Sequence, residues 1–228
     1  MTLHTYPDIE QGTPEWDELR RGIVTASVVG TLITPSQVRP ANNMESRALA
    51  ALLAAERITG WTDPSYVSGA MERGWNDESH AVEAYEKHRG VRVDFMGFMV
   101  REEGDWKVGY SPDGLVGDHG LIEIKSRAPK KHVKTVLTDE VPSENVAQIQ
   151  CGLFVTGREW CDYISFSGGM SLWVKRVTPD PRWFDAITTA VAAFEDTVDR
   201  MVNDYNTAVK GLPMTERVLD YSDVELKL

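Results

Sequence analysis

The chain has 228 residues, 42% of them apolar and 26% charged, with a formal net charge of -11. That length can bury the core of one large domain, and ordinary usage of Gly (18) and Pro (11) excludes a disordered or collagen-like chain. No apolar run is long enough to span a membrane, the N-terminus lacks an apolar signal-peptide core, and two cysteines, Cys151 and Cys161, predict buried thiols in a reducing cytoplasm rather than a disulfide scaffold.

Thr13-Pro14 opens a short helix through Trp16, Leu19 and Arg20, and a turn at Gly22 leads to a second helical piece from Thr25-Ala26-Ser27. Residues 35–43 read as a loop. Asn43 caps a helix to about Ile58, with Met44, Ala48, Leu52 and Ala55 on its predicted inner face and Gly60 as its stop. A further helix starts at Met71 or Asn76 and ends at Gly90. Strands are predicted over residues 91–100, 106–110 and 121–125. Ser143 then caps a helix through Val146, Ile149 and Leu153, stopped by Gly157. Strands over 160–166 and 172–177 flank a Gly168-Gly169 turn. Asp180-Pro181 opens the last helix, whose Phe184, Ile187, Val191, Phe194, Val198 and Met201 recur at helical spacing and predict a core-facing stripe. This order predicts an α/β domain over 1–228, a mixed central sheet flanked by helices. Its parts are a helical segment 1–90, a sheet core 91–178, and a C-terminal helix and tail 179–228.

The sequence contains no phosphate-binding loop, dinucleotide fingerprint, serine-nucleophile elbow or zinc-protease helix motif. The five histidines are scattered without metal spacing, which predicts surface or capping roles. The negative charge is uneven. Residues 121–136 hold Lys125, Arg127, Lys130, Lys131 and Lys134 against Glu123 alone, whereas acids outnumber bases over 180–228. A basic centre within an acidic chain keeps a nucleic-acid partner open.

Two short pieces carry chemistry together: Pro112-Asp113-Gly114 and Glu123-Ile124-Lys125. Alone, the first is an ordinary turn and the second the polar side of a strand. On a strand, Glu123 and Lys125 share one face and Ile122 and Ile124 the other. Asp113 sits in the turn after the preceding strand. Two carboxylates on adjacent strand ends, with the Ile124 carbonyl between them, supply hard oxygens suited to Mg²⁺, with Mn²⁺ as a substitute. A neighbouring lysine can orient or help deprotonate an attacking water and offset charge on a phosphate. Glu78, in the first turns of the preceding helix, is a third acid; its spacing does not distinguish it from Asp77 or Glu83 as a helix-dipole residue.

These residues, in this order, resemble the phage lambda exonuclease group, the YqaJ-like viral recombinases of the PD-(D/E)xK nuclease superfamily. The resemblance runs from about Glu10 to Val202. It rests on Glu10-Gln11-Gly12, Trp16, Leu19-Arg20, Gly22, Thr25-Ala26-Ser27, Gly74 with Glu78, Ser111 to Gly114, Glu123 to Lys125, and Ala147-Gln148-Ile149-Gln150. It implies a restriction-endonuclease-like core and Mg²⁺-dependent 5′-to-3′ digestion of one strand of linear duplex DNA. It further implies a homotrimeric ring, a single-strand annealing recombinase as partner, and work in the cytoplasm of a phage's bacterial host. In that scheme Asp113 and Glu123 are metal ligands with the Ile124 carbonyl, Lys125 activates water, and Glu78 is an outer acid. Arg20 and Ser27 hold a terminal 5′ phosphate, and Gln150, or else Gln148, supports the site. Arg21, Arg127, Lys130 and Lys131 depart from the family pattern toward greater basicity; they are read as DNA-backbone contacts, with a solvated loop as the plainer reading of 126–132. Within the same chemistry, an endonuclease or single-strand-acting nuclease is the alternative. A catalytically silent DNA-binding module and a hydrolase of small phosphoesters are the readings from other classes.

Overall fold

The computed structural model describes residues 1–63 and 69–217. In chain order, β1 (Thr2–Tyr6) precedes α1 (Pro14–Arg20), β2 (Val24–Thr25) and α2 (Ala26–Val29). A two-stranded ribbon, β3 (Ile33–Thr34) with β4 (Arg39–Pro40), leads into α3 (Met44–Thr59) and α4 (Gly69–Arg89). Four strands follow: β5 (Phe98–Glu103), β6 (Trp106–Tyr110), β7 (Gly114–Val116) and β8 (Gly120–Ser126). The chain ends through α5 (Pro129–Thr138), α6 (Ser143–Thr156), β9 (Trp160–Phe166), β10 (Trp173–Val177) and α7 (Pro181–Ala208).

The expected central sheet is divided in two. One sheet has the order β1-β5-β6-β2, with β2 parallel to β6 and the other pairs antiparallel. The second has the order β10-β9-β8-β7, with β8 parallel to β9. The break has a chemical cause. The chain leaves β6 through Ser111-Pro112-Asp113, where proline has no N–H to give a ladder. Just before β7 begins, the N–H of Ile124 on β8 is taken by the Asp113 side chain instead of a neighbouring strand. An isolated bridge between Asp94 and Leu115 flanks the junction.

Helix α6 fills the space between the sheets, packing against α2, α7, β5, β6 and β9. Gly152 makes that approach possible, because a Cβ there would lie 2.7 Å from the Tyr110 ring. On α7, Ile187, Val191, Phe194 and Val198 are buried as the stripe requires, Phe184 is half-buried beside the buried Trp183, and Met201 lies at the exposed end. Cys151 and Cys161 are both free and buried.

Several sequence expectations change. The segment 1–90 is not wholly helical, since β1 pairs with β5 and β2 with β6. β1 is an almost fully exposed edge strand, so it lacks the alternating apolar signal that marks a half-buried strand. On α3 the Asn43 cap and the Gly60 stop hold, but the expected inner face is the outer one. Met44, Ala48, Leu52 and Ala55 are exposed, while Ser46, Ala50, Leu53, Ala54 and Glu56 are buried. The buried face carries two polar residues whose hydrogen bonds lie within reach: Ser46 closes the cap on Asn43, and Glu56 accepts from Gly22 N–H. Strand β5 starts seven residues later than expected, and the basic stretch after Lys125 is helix α5 rather than a loop. His132 on that helix is buried between Ser165 and the Ser171 carbonyl, not at the surface. Residues 218–228 of the tail lie outside the described residues.

The second sheet is locked to α4 by Asp162 on β9. Its buried carboxylate accepts the Tyr85 hydroxyl at 2.8 Å and two Arg176 nitrogens at 2.8 and 2.9 Å. Burial alone would raise its pKa, but the bonds to Arg176 and Tyr85 outweigh it and hold the carboxyl below its usual range. A depressed folded-state pKa stabilises the fold above the unfolded value and loses that contribution as pH falls through the folded one. Asp162→Asn should therefore cost about 2 kcal/mol at pH 7. That is less than a fully buried broken pair, because Arg176 is half-exposed and can regain water. Denaturant titration should find the difference from wild type shrinking below about pH 4.

Candidate active site

Strand β8 delivers Glu123 and Lys125 to one face, as alternation requires. Glu123 is fully buried, and its Oε2 receives the Tyr110 hydroxyl at 3.3 Å. Lys125 Nζ lies 2.6 Å from Glu123 Oε1 and forms an ion pair with it. Asp113, from the turn after β6, reaches the Ile124 N–H between the two. A strand residue turns its N–H and C=O to the same side, so the Ile124 carbonyl faces the Asp113 edge. Glu78 approaches from α4, which is fastened to the end of β8 by a 2.6 Å bond from the Ser126 hydroxyl to Asp77.

The electrostatics of this cluster are out of balance. Burial, and then the Glu123 charge, push Asp113 well above the usual carboxylate range; Glu78 adds to the effect, while Lys125 and the Ile124 N–H oppose it. Glu78 is raised by burial and by Glu123. Burial would lower Lys125, but Glu123 and Asp113 more than offset it and keep the amine an ammonium. Tyr110, driven upward by burial and then by Glu123, stays a proton donor. Three carboxylates, one of them fully buried and two part-buried, thus face one lysine, a charge distribution that a divalent cation would relieve.

The donor set fits such an ion. Among the described residues no three His, Cys, Asp or Glu side chains converge tightly enough to hold a metal by themselves. Two carboxylates, one carbonyl and water are the kind of shell Mg²⁺ accepts. Asp113, Glu123 and the Ile124 carbonyl are the residues that would hold it.

On one side of Asp113 lies a cavity of about 210 Å³ lined by Arg20, Thr25, Ser27, Lys125 and Gln148. The Arg20 guanidinium lies 3.7 Å from the centre of the Trp16 ring, and the Trp16 indole N–H donates to Ser111 Oγ at 2.8 Å. No carboxylate pairs with Arg20 among the described residues, although burial depresses its pKa against the pull of Asp17 and Glu56. A half-buried guanidinium with no carboxylate partner among the described residues, beside the Ser27 and Thr25 hydroxyls, is a site for an anion. On the other side of Asp113 a groove of about 750 Å³ holds Glu78 with the exposed rings of Trp75 and Phe95.

Not every expected residue joins this site. Gln150 points away, donating to the Thr178 carbonyl and accepting from the Asp180 N–H, both at 2.9 Å. Residues two apart lie on opposite sides of a helix, so it is Gln148 that faces the cavity. Arg127 is turned inward to Asn145, the Tyr163 hydroxyl and Glu144, which leaves it 10% exposed and unsuited to a DNA backbone. Lys130 and Lys131 project from α5 into solvent. Arg21 lines the groove next to the Arg20 pocket. The sequence did not mark Trp16, Ser111 and Tyr110 as working residues; a lone aromatic or hydroxyl carries no spacing signal.

The YqaJ-like viral recombinase domain matches residues 15–159, which contain every member of this site. The chain belongs to that family. The alkaline exonuclease LHK-Exo of Laribacter hongkongensis shares 31% identity with it, covering 88% of this chain and all of the other, with a TM-score of 0.78. The same enzyme in complex with dAMP gives 0.79 at the same identity and coverage. A phage related exonuclease from Haemophilus somnus 129PT, 13% identical over 83% of this chain and 99% of its own, shares the fold with a TM-score of 0.59. Among curated proteins no sequence matches. The architecture is therefore a restriction-endonuclease-like α/β fold, and the family and its structural relatives support a nuclease.

Relief of the carboxylate cluster is measurable. Without metal, Asp113→Asn should raise the melting temperature by about 2–4 °C, since roughly 1 kcal/mol of repulsion goes while the Ile124 acceptor stays. Saturating Mg²⁺ or Mn²⁺ should raise wild type by about 5–10 °C and leave Asp113→Asn nearly unmoved, as followed by thermal unfolding in EDTA and in metal.

Proposed function

We propose that the chain is a Mg²⁺-dependent deoxyribonuclease that digests one strand of linear duplex DNA from its 5′ end, leaving 3′ single-stranded tails for phage homologous recombination. The observation that carries this reading is the unpaired Arg20 cation, with Ser27, in a cavity whose far wall is Asp113 and Lys125. A terminal phosphate monoester bears up to two negative charges at neutral pH, against one for an internal diester. An isolated cationic pocket beside the reacting centre therefore favours a strand end over an internal position.

The residues divide the work accordingly. Asp113, Glu123 and the Ile124 carbonyl hold the cation, which when bound supplies positive charge to the phosphate and lowers the pKa of water. Lys125, an ammonium, orients the attacking water and offsets charge gained by the phosphate oxygens. Tyr110 fixes the Glu123 carboxylate by donating to it. Gln148, at the cavity wall, is placed to hold the water or Lys125. Arg21, Lys130 and Lys131 would track the duplex backbone. The family resemblance extends the proposal to a homotrimer encircling DNA and to a single-strand annealing recombinase that receives the product.

A duplex labelled on one strand, with and without a 5′ phosphate, tests this reading. Mg²⁺ should support release of label from the 5′ phosphorylated strand, closed circular DNA should stay intact, and activity should fall steeply with salt. Asp113→Ala should lower the rate by at least about 10³-fold, a loss of roughly 4 kcal/mol of transition-state stabilisation. Folded wild type that degrades no DNA with any divalent metal would overturn the proposal. Cutting of closed circles would convert it to an endonuclease.

A further inference from the structure

The turn that carries Arg20 is held from outside the active site by two residues with no place in the chemistry above. Helix α1 ends at Arg20, and the chain reverses through Arg21 and Gly22. The Gly22 N–H donates to Glu56 Oε2 at 2.7 Å, and the Gly22 carbonyl accepts from Arg57 Nε at 2.8 Å. Adjacent residues of α3 thus grip both sides of a single glycine. Arg57 is anchored in turn on α7, with Glu195 at 2.7 Å and Asp199 at 2.9 Å. Gly22 has φ +69°, and a Cβ there would lie 2.7 Å from Arg57 Cγ, so the arginine stem lies directly across the turn.

The clamp is polar where an apolar contact would have sufficed to pack α3. Glu56 is 7% exposed and spends its buried carboxylate on one backbone N–H. That arrangement is costly unless the position of the backbone matters. It fixes the main chain two residues beyond Arg20 while leaving the guanidinium unpaired, as a phosphate receptor requires. Misplacing a binding group by about 1 Å can cost on the order of 10²-fold.

We propose that Glu56 and Arg57 are positioning residues that set Arg20 for a terminal phosphate, and so determine the preference for 5′-phosphorylated ends. This rests on the proposed end-phosphate pocket. The test compares kcat/KM on duplex ends bearing a 5′ phosphate or a 5′ hydroxyl. The ratio of the two does not depend on the fraction of enzyme folded, so a destabilised variant still reports. Glu56→Leu and Arg57→Met should lower the phosphate-to-hydroxyl ratio about tenfold, mainly through KM. Glu56→Gln, whose amide oxygen still accepts from Gly22, should keep it within about threefold. Unchanged ratios in Glu56→Leu and Arg57→Met, or equal losses in Glu56→Gln and Glu56→Leu, overturn the clamp alone. A wild type indifferent to the phosphate overturns the pocket and the clamp with it.

Discussion

The hydrogen bond from the Ile124 N–H to the Asp113 carboxylate organises this molecule. Just before β7 begins, β8 exchanges a backbone partner for a side chain. The exchange lets the second sheet stop where the site must open. It also forces a carboxylate against the buried edge that already holds Glu123. A neutral acceptor such as a serine would satisfy the same N–H at lower electrostatic cost. The acid stands there in spite of burial and like-charge repulsion, a combination that clusters at functional sites.

The surroundings limit that cost without removing it. Tyr110 is brought to Glu123 because Gly152 allows α6 to lie on its ring, and Asp77 holds α4 so that Glu78 completes the cluster. Of the basic residues that the sequence assigns to phosphate, DNA backbone or water, only Arg20 and Lys125 line the cavity beside Asp113. Arg127 is spent bracing Asn145 and Tyr163, and the lysines of α5 stay in solvent. The net charge of -11 therefore coexists with a small, local positive wall, not with a broad basic surface.

Alternation on β8 placed Glu123 and Lys125 on one face, and the turn after β6 placed Asp113 beside them, so the grouping of these three side chains was legible from residue spacing. The Asp180-Pro181 start of α7 and the Asn43 and Gly60 limits of α3 were legible for the same reason, since caps are local chemistry. The buried face of α3 was not, because Ser46 and Glu56 make it look polar and their partners become visible only in three dimensions. β1 and β7 escaped notice as a short exposed edge and a three-residue strand. Gln148 and Gln150 could not be separated without knowing which side of α6 faces Asp113. Basic composition around α5 suggested a loop, although Pro129 at its first turn is an ordinary helix opener.

Trp16 deserves a last consequence. Its ring carries the Arg20 guanidinium, and its indole N–H holds Ser111, two residues before Asp113. The separation between Arg20 and Asp113 is thus set by one rigid aromatic plate rather than by a pliable loop. Any ligand that reached from the Arg20 pocket to Asp113 would be gauged against that same indole.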